Sequence, residues 1–278
     1  MANMLLATPV LSDAATLSAS TYPASLPVGN LKRMPIGEVC RFIDPENAFI
    51  QIDLGTEKAV NLIALLGHNG SSRGYARVRA ADVEADLLAD PDYDSGNLPL
   101  RSHQSGYDET WASGVDDEQY GALDTNHFIL HLDTAQNYRY WRIDMVDTEI
   151  SYLDVGRLYM AKAFQPVTNM DYGVADGFID PSTIARMVSG KNIANERPKY
   201  RFCELKLSFA SEQEMYDIAF EIDRLRGTTR DVLFINDPSK KDTLQKRTIY
   251  GLMKGLAPIV NANFQLFEKS YRIEEIIE

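Results

Sequence analysis

Residues 49–80 read FIQIDLGTEKAVNLIALLGHNGSSRGYARVRA. Ile50, Ile52 and Leu54 alternate with Gln51 and Asp53, the period of two that half-buries a strand. Gly55 and Thr56 interrupt that run, and VNLIALL follows as a near-continuous apolar strand. The loop HNGSSRG supplies Asn69, Gly70 and Gly74 for a turn, and Tyr75 to Ala80 alternates again. Short strands in succession, each followed by a turn, predict a β-sandwich.

The pattern extends in both directions. Residues 12–37 are rich in Ser, Ala, Thr, Pro and Gly and read as a strand followed by a surface loop. The stretch from Asp82 to Asp124 is acidic and turn-rich, with one short strand expected near Tyr107 to Trp111. HFILHLDT (127–134) and YRYWRIDMVD (138–147) return as two strands. In the second, Trp141, Ile143 and Met145 share one face, and Tyr140, Arg142 and Asp144 the other. DVGRLYMAKAF (154–164) closes the first domain, placed at 1–165.

Pro166 marks the start of a second domain, 166–278. Its first part is weakly periodic, with strands expected around Thr183 to Ser189. From Tyr200, Cys203, Leu205, Leu207 and Phe209 alternate with Glu204, Lys206 and Ser208 in a clear strand. Ser211 and Glu214 have the spacing of a capping box, in which each side chain satisfies a free N–H of the first helical turn. Met215, Ile218, Ala219, Ile222 and Leu225 then form the apolar stripe of a helix over 211–226, and Gly227 ends it. VLFI (232–235), RTIYGLM and the C-terminal NFQLFEKSYRIEEII are further strands around a loop or hairpin tip, NDPSKKD. The fold class is mainly β: an N-terminal β-sandwich jelly roll, then a β-sheet domain with one flanking helix.

The chain has 278 residues, is 45% hydrophobic and carries a formal charge of −12. It can bury two ordinary cores. An acidic surface repels nucleic acid and anionic membranes, so neither is expected as a specific partner. Cys40 and Cys203 are the only cysteines and read as buried thiols. The N-terminal MANMLLATPVLSD lacks a basic start and its apolar run stops at Pro9, so no signal peptide is expected.

Chemistry-bearing patterns are sparse. His127 and His131 lie in a strand with no third ligand, and His68 and His103 are expected in surface loops. Asp90, Asp92 and Asp94 begin like a calcium loop, but Gly96 comes one place late and Arg101 stands where the closing carboxylate belongs. No H-E-x-x-H and no phosphate-binding glycine loop occurs, and no G-x-S-x-G nucleophile elbow is expected. No catalytic residue, cofactor or metal is therefore expected, and the protein is read as non-enzymatic. Tyr107, Trp111 and Tyr120 are the candidates for stacking on a sugar, against the alternative that they pack loops onto the sandwich. Lys240, Lys241, Lys246 and Arg247, beside Asp237 and Asp242, are either a solvated turn or a tip that docks on a neighbour's acidic face.

Residues 12–165 resemble the galactose-binding-like, or discoidin-type, jelly roll. The likeness is carried by Pro27, Gly29, Asn30 and Leu31, by IQIDLG, by VNLIALLGHN, and by YWRIDMVD followed by VGRLYM. Many such domains carry a Trp where this chain has Val39, Cys40 and Arg41, so their ligand chemistry is not carried over. The ALLGHN variant is similar to tail-associated proteins of tailed bacteriophages. So is the second domain, through RLRGTTRDVLFINDP, Tyr250-Gly251 and a last strand ending in E-E-I, which resemble tail-tube and distal-tail folds. The resemblance implies a structural protein of the phage tail or tail tip, assembled in the host cytoplasm and resident in the virion. It implies a homo-oligomeric ring, built through strand edges and the 211–226 helix. Tube, hub or fibre proteins would be its partners, and DNA would pass through an acidic lumen. The other function in view is a carbohydrate-binding module that recognises host glycans.

Overall fold

The computed structural model describes residues 3–101 and 126–277. The chain divides into two compact units. The first comprises Ala7–Ala163 and Asp237–Arg247, and the second Asn3–Leu6, Phe164–Asn236 and Thr248–Glu278. Two short segments thus group differently from a single cut at 165/166: the N-terminal Asn3–Leu6 joins the second unit and the loop 237–247 joins the first. β1 (Leu5–Ala7) is an edge strand of the second unit's sheet.

The first unit contains β2 (Thr16–Ala19), β3 (Cys40–Phe42), β4 (Ala48–His68), β5 (Tyr75–Ala81), β6 (Tyr93–Pro99), β7 (Asn126–Val146) and β8 (Leu153–Ala161). They pair antiparallel in the order β3-β8-β4-β7-β5-β6, with β2 on β4. The expected break at Gly55 and Thr56 does not occur: β4 runs unbroken for 21 residues. Gly55 sits at φ +78, and the register with β7 shifts between Asp53 and Lys58. Glycine adopts that conformation without a Cβ clash, so the strand bends as a bulge instead of ending. The two strands expected over 127–134 and 138–147 are likewise one strand, β7.

This continuity builds the sandwich. The first part of β4 pairs with β2 and the second part of β7, as in Ile50↔Ile143. The second part of β4 pairs with β8, as in Leu65↔Leu158. Ile50, Ile52, Val78, Trp141, Ile143 and Met145 from one layer meet Ile63, Leu65, Phe128, Leu158 and Met160 from the other in a single buried cluster. Trp141 is fully buried. Its indole N–H donates to Tyr138 O at 3.2 Å, and the Tyr93 and Tyr138 rings stand 6.1 and 6.2 Å away.

The second unit contains β9 (Ala175–Ile179), β10 (Thr183–Arg186), β11 (Asn192–Asn195), β12 (Tyr200–Ala210), β13 (Asp231–Ile235), β14 (Thr248–Met253), β15 (Val260–Asn263) and β16 (Leu266–Glu275). The sheet order is β1-β13-β14-β16-β12-β9, with β15 on β16, while β10 and β11 pair only with each other. Gly251 is required by close approach, because a Cβ there would strike the Glu274 carbonyl across the β14–β16 ladder.

The helix forms where the capping box places it. Glu214 N–H donates to Ser211 Oγ at 3.3 Å, and Ser211 N–H donates to Glu214 Oε2 at 2.9 Å. Met215, Ala219 and Ile222 are buried against the sheet, with Ile218 packed beside them. Leu225, expected in that stripe, is exposed, and Arg226 is buried instead, 3.4 Å from Asp231. The turns over Glu214–Ala219 are π-helical. A wide turn rotates the following residues back along the helix, which moves the inward position from 225 to 226. Phe209 departs from its expected face for a comparable reason: a bulge between Leu207 and Ala210 gives Ala210 the buried place.

Candidate functional site

Tyr107, Trp111, Tyr120 and His103 lie outside the described residues. The other sequence candidates do not converge. His127 is buried on β7, where its Nδ1 accepts the Gly67 N–H at 3.3 Å. Four residues of extended strand separate His127 from His131 by about 13 Å, too far for one ion. His68 is buried at the end of β4, not exposed in a loop. Burial, and then the nearby His127, push its pKa down to about 3. Asp94 is forked by Arg77 at 2.9 and 3.1 Å and held at about 2, while Asp92 accepts the Asp82 N–H. Among the described residues no group of His, Cys, Asp or Glu is arranged to hold a metal ion. Cys40 and Cys203 are buried free thiols, and burial pushes Cys40 up to about 12. The loop carrying Lys240 and Lys241 is a single 3-10 turn, Lys241–Thr243, after Asp237 Oδ1 accepts from the Ser239 N–H and hydroxyl at 3.0 and 2.6 Å.

The expectation that no G-x-S-x-G occurs is wrong: residues 70–74 read Gly-Ser-Ser-Arg-Gly and match the spacing of a hydrolase nucleophile elbow, with Ser72 at the nucleophile position. An elbow needs a strand-to-helix turn that exposes the serine beside a histidine and a carboxylate. Here the loop joins strand β4 to strand β5, not a strand to a helix. The motif's serine, Ser72, is simply exposed in that loop, while its neighbour Ser71 is tied by its N–H and hydroxyl to the buried Asp147 at 2.6 and 2.9 Å. A groove of about 610 Å³ in the second unit is lined in part by Tyr172, Leu256, Lys206, Lys254 and Arg272. Each of those cations is already paired, with Glu268, Glu274 and Glu204 respectively, at 2.6 to 2.9 Å.

Two surfaces remain. One is the jelly-roll end formed by the loops 43–47, 69–74 and 147–152. Arg41 on β3 donates from Nε and Nη2 to Asp154 on β8 at 2.8 and 2.7 Å, and its guanidinium lies 3.9 Å from the centre of the Tyr152 ring. Asn69 donates to Tyr152 O at 3.2 Å and accepts the Asp154 N–H at 2.7 Å. The result is a half-exposed ring beside a fixed polar fork, the chemistry that receives the apolar face and hydroxyls of a sugar.

The other surface is an arm. β9 and β12 pair as far as Ile179↔Tyr200, and the chain between them continues as the β10–β11 hairpin. Every residue from 183 to 199 is exposed. Ile184 pairs with Ala194 and Ala185 with Ile193, so one isoleucine stands on each face of the ribbon. Ile184 is 73% exposed and Val188, in the turn, is 110% exposed. A two-stranded ribbon with no third strand and no covered face is marginal in water. Arg186, Lys191, Arg197 and Lys199 outnumber Asp180 and Glu196, so this segment of an acidic chain is net basic. The expected strand near Thr183 is real, but its exposure on both faces was not visible in its residue pattern.

No family model matches this chain, and no curated protein matches it. Among solved structures it is similar to the family 32 CBM of NanJ from C. perfringens in complex with galactose. That match has 11% identity, a TM-score of 0.39, and covers 56% of this chain and 98% of the other. It is also similar to a Streptococcus pneumoniae fucose binding module, with 9% identity, a TM-score of 0.39, and coverage of 55% and 95%. The lectin domain of lectinolysin complexed with Lewis B antigen matches with 13% identity, a TM-score of 0.38, and coverage of 55% and 96%. Each likeness spans about half of this chain. Identities this low carry no residue's role across.

Proposed function

We propose that this chain is a non-enzymatic structural subunit that assembles with copies of itself, and that it serves in a bacteriophage tail or tail tip. The observation that supports self-assembly is the β10–β11 arm: apolar side chains stand in water on both faces of a ribbon that no other described strand joins or covers. Burying such side chains is worth about 1.5–3 kcal/mol each, and among the described residues none offers that burial. The phage assignment rests on the sequence resemblance. In this reading the second unit makes the contacts between subunits, and the jelly roll is displayed or cements neighbours.

The test is the mass distribution of the full chain across a concentration series, beside a variant in which residues 183–195 are replaced by a short Gly-Ser turn. Oligomers in the first and monomers in the second are expected. A full chain that stays monomeric at every concentration would reject the proposal.

The second reading is glycan recognition by the jelly roll, the ligand class named for the solved structures above. The observation in its favour is Tyr152 beside Arg41, Asp154 and Asn69. A glycan array probed with the full chain tests it. Binding that is lost in Tyr152→Ala or Trp111→Ala supports recognition, and silence across the array leaves assembly as the function.

A further inference from the structure

The helix of the second unit has a second side. With Met215, Ala219 and Ile222 turned inward, Tyr216 and Phe220 are left 50% and 51% exposed. Side chains four apart on a helix are neighbours, so the two rings make one aromatic ridge. The Tyr216 ring is steadied edge-on against Phe267, 5.7 Å between centroids. Glu212 and Asp217 are exposed on the same stretch of helix. Arg224 is held by Glu221, whereas Glu212 and Asp217 enter no ion pair among the described residues.

The arm has the complementary character. Ile184, Met187, Val188 and Ile193 are exposed, and Arg186, Lys191 and Arg197 are cations in no ion pair among the described residues. Lys199 alone of the arm's cations meets a carboxylate, Asp180, at 3.5 Å. One surface is aromatic and flanked by unpaired carboxylates. The other is aliphatic and flanked by unpaired cations. Both are present in every copy of the chain.

We infer that the arm of one copy, residues 180–199, docks on the Tyr216–Phe220 face of the helix in a second copy. The inference rests on the assembly reading and adds to it the pair of surfaces. The contact is heterologous, arm on helix, so each copy donates one surface and accepts with the other. Such contacts close into a ring if the rotation between copies allows it, and otherwise extend as a filament. The charges steer the two surfaces together and set their register, and the apolar side chains supply the burial.

Two cysteine variants of the full chain, Val188→Cys and Phe220→Cys, are made separately and mixed under mild oxidation. Cys40 and Cys203 are fully buried and stay silent. A disulfide-linked heterodimer is expected. Ile43→Cys, as exposed as Phe220 (52% against 51%) but in the first unit, is expected to give none with Val188→Cys. In parallel, Asp217→Lys should raise the concentration needed for assembly about tenfold, and Arg186→Glu in the same chain should recover most of it. If the wild-type chain assembles but Asp217→Lys assembles equally well and no arm–helix disulfide forms, this docking is wrong while self-assembly stands. If the wild-type chain never assembles, both fall. Circular dichroism of each variant separates lost docking from lost folding.

Discussion

The two units treat their apolar surface in opposite ways. In the first, two 21-residue strands pass through both layers, so the apolar face of each layer meets the other inside one chain. In the second, the helix covers one face of the sheet, and Glu204–Arg272 and Lys206–Glu268 occupy the outward positions of β12 and β16. Its β9–β12 hairpin then runs on into an arm whose residues 183–199 are all exposed among the described residues. The first unit satisfies itself. The second leaves apolar side chains of its arm exposed, and the proposed assembly is what would bury them.

The largest effect that would sharpen this contrast is Trp141→Ala. The ring is fully buried and flanked by Tyr93 and Tyr138, so truncation should cost the first unit about 3–5 kcal/mol. Hydrogen exchange read by peptide should show β4 and β7 opening more easily, with β12 and β16 unchanged. Equal loss in both would mean that the units unfold as one and would break the comparison.

A change of pH should divide the units next. All four histidines, His68, His103, His127 and His131, belong to the stretch of the first unit, and the second has none. His68 is neutral when folded because burial and His127 lower its pKa from 6.5 to about 3. The unfolded chain therefore binds a proton that the folded chain refuses between those values. Stability is full above pH 6.5 and falls as the pH drops toward 3, by about 1.4 kcal/mol per pH unit for one proton. Burial lowers His131 as well, in the same direction. Exchange measured between pH 7 and 5 should show the first unit weakening and the second nearly flat, and His68→Phe should reduce the slope.

A smaller effect tests the helix that faces both core and solvent. Ser211→Ala removes the acceptor of the Glu214 N–H and should cost the second unit about 1 kcal/mol. Glu214 also accepts the Val167 N–H at 2.8 Å, so Glu214→Ala should cost more than the cap alone. A double-mutant comparison by denaturant unfolding separates the two contributions.

These features differ in how far residue pattern foretold them. The alternation over Ile50–Leu54, the buried Cys203–Leu207 face and the Ser211 cap were legible because each is a local rule about neighbouring residues. The continuity of β4 was not, since Gly55 can end a strand or bend it and only the partner strand decides. The placement of Leu5 and Leu6 in the second unit's sheet depends on pairing with residues far along the chain, for which no local period exists. Tyr152 came beside Arg41 only through the β3–β8 register, Arg41↔Asp154. The sugar candidates drawn from aromatic content, Tyr107, Trp111 and Tyr120, were chosen without that register.

The smallest expected effect on stability is also the most discriminating. Ile184→Ser on the arm removes an apolar side chain that is 73% exposed and touches no core, so unfolding of the isolated chain should shift by less than about 0.5 kcal/mol. Were Ile184 a core residue, the same change would cost several times more. If the arm packs on a neighbour, the loss appears in association alone, as a higher concentration for assembly with an unchanged unfolding midpoint. A measured fall in monomer stability would mean that the arm folds back on its own chain, and the contrast between a self-satisfied unit and an assembling one would be lost. The separation of the two readouts, not the size of either, is what assigns the arm to a second copy.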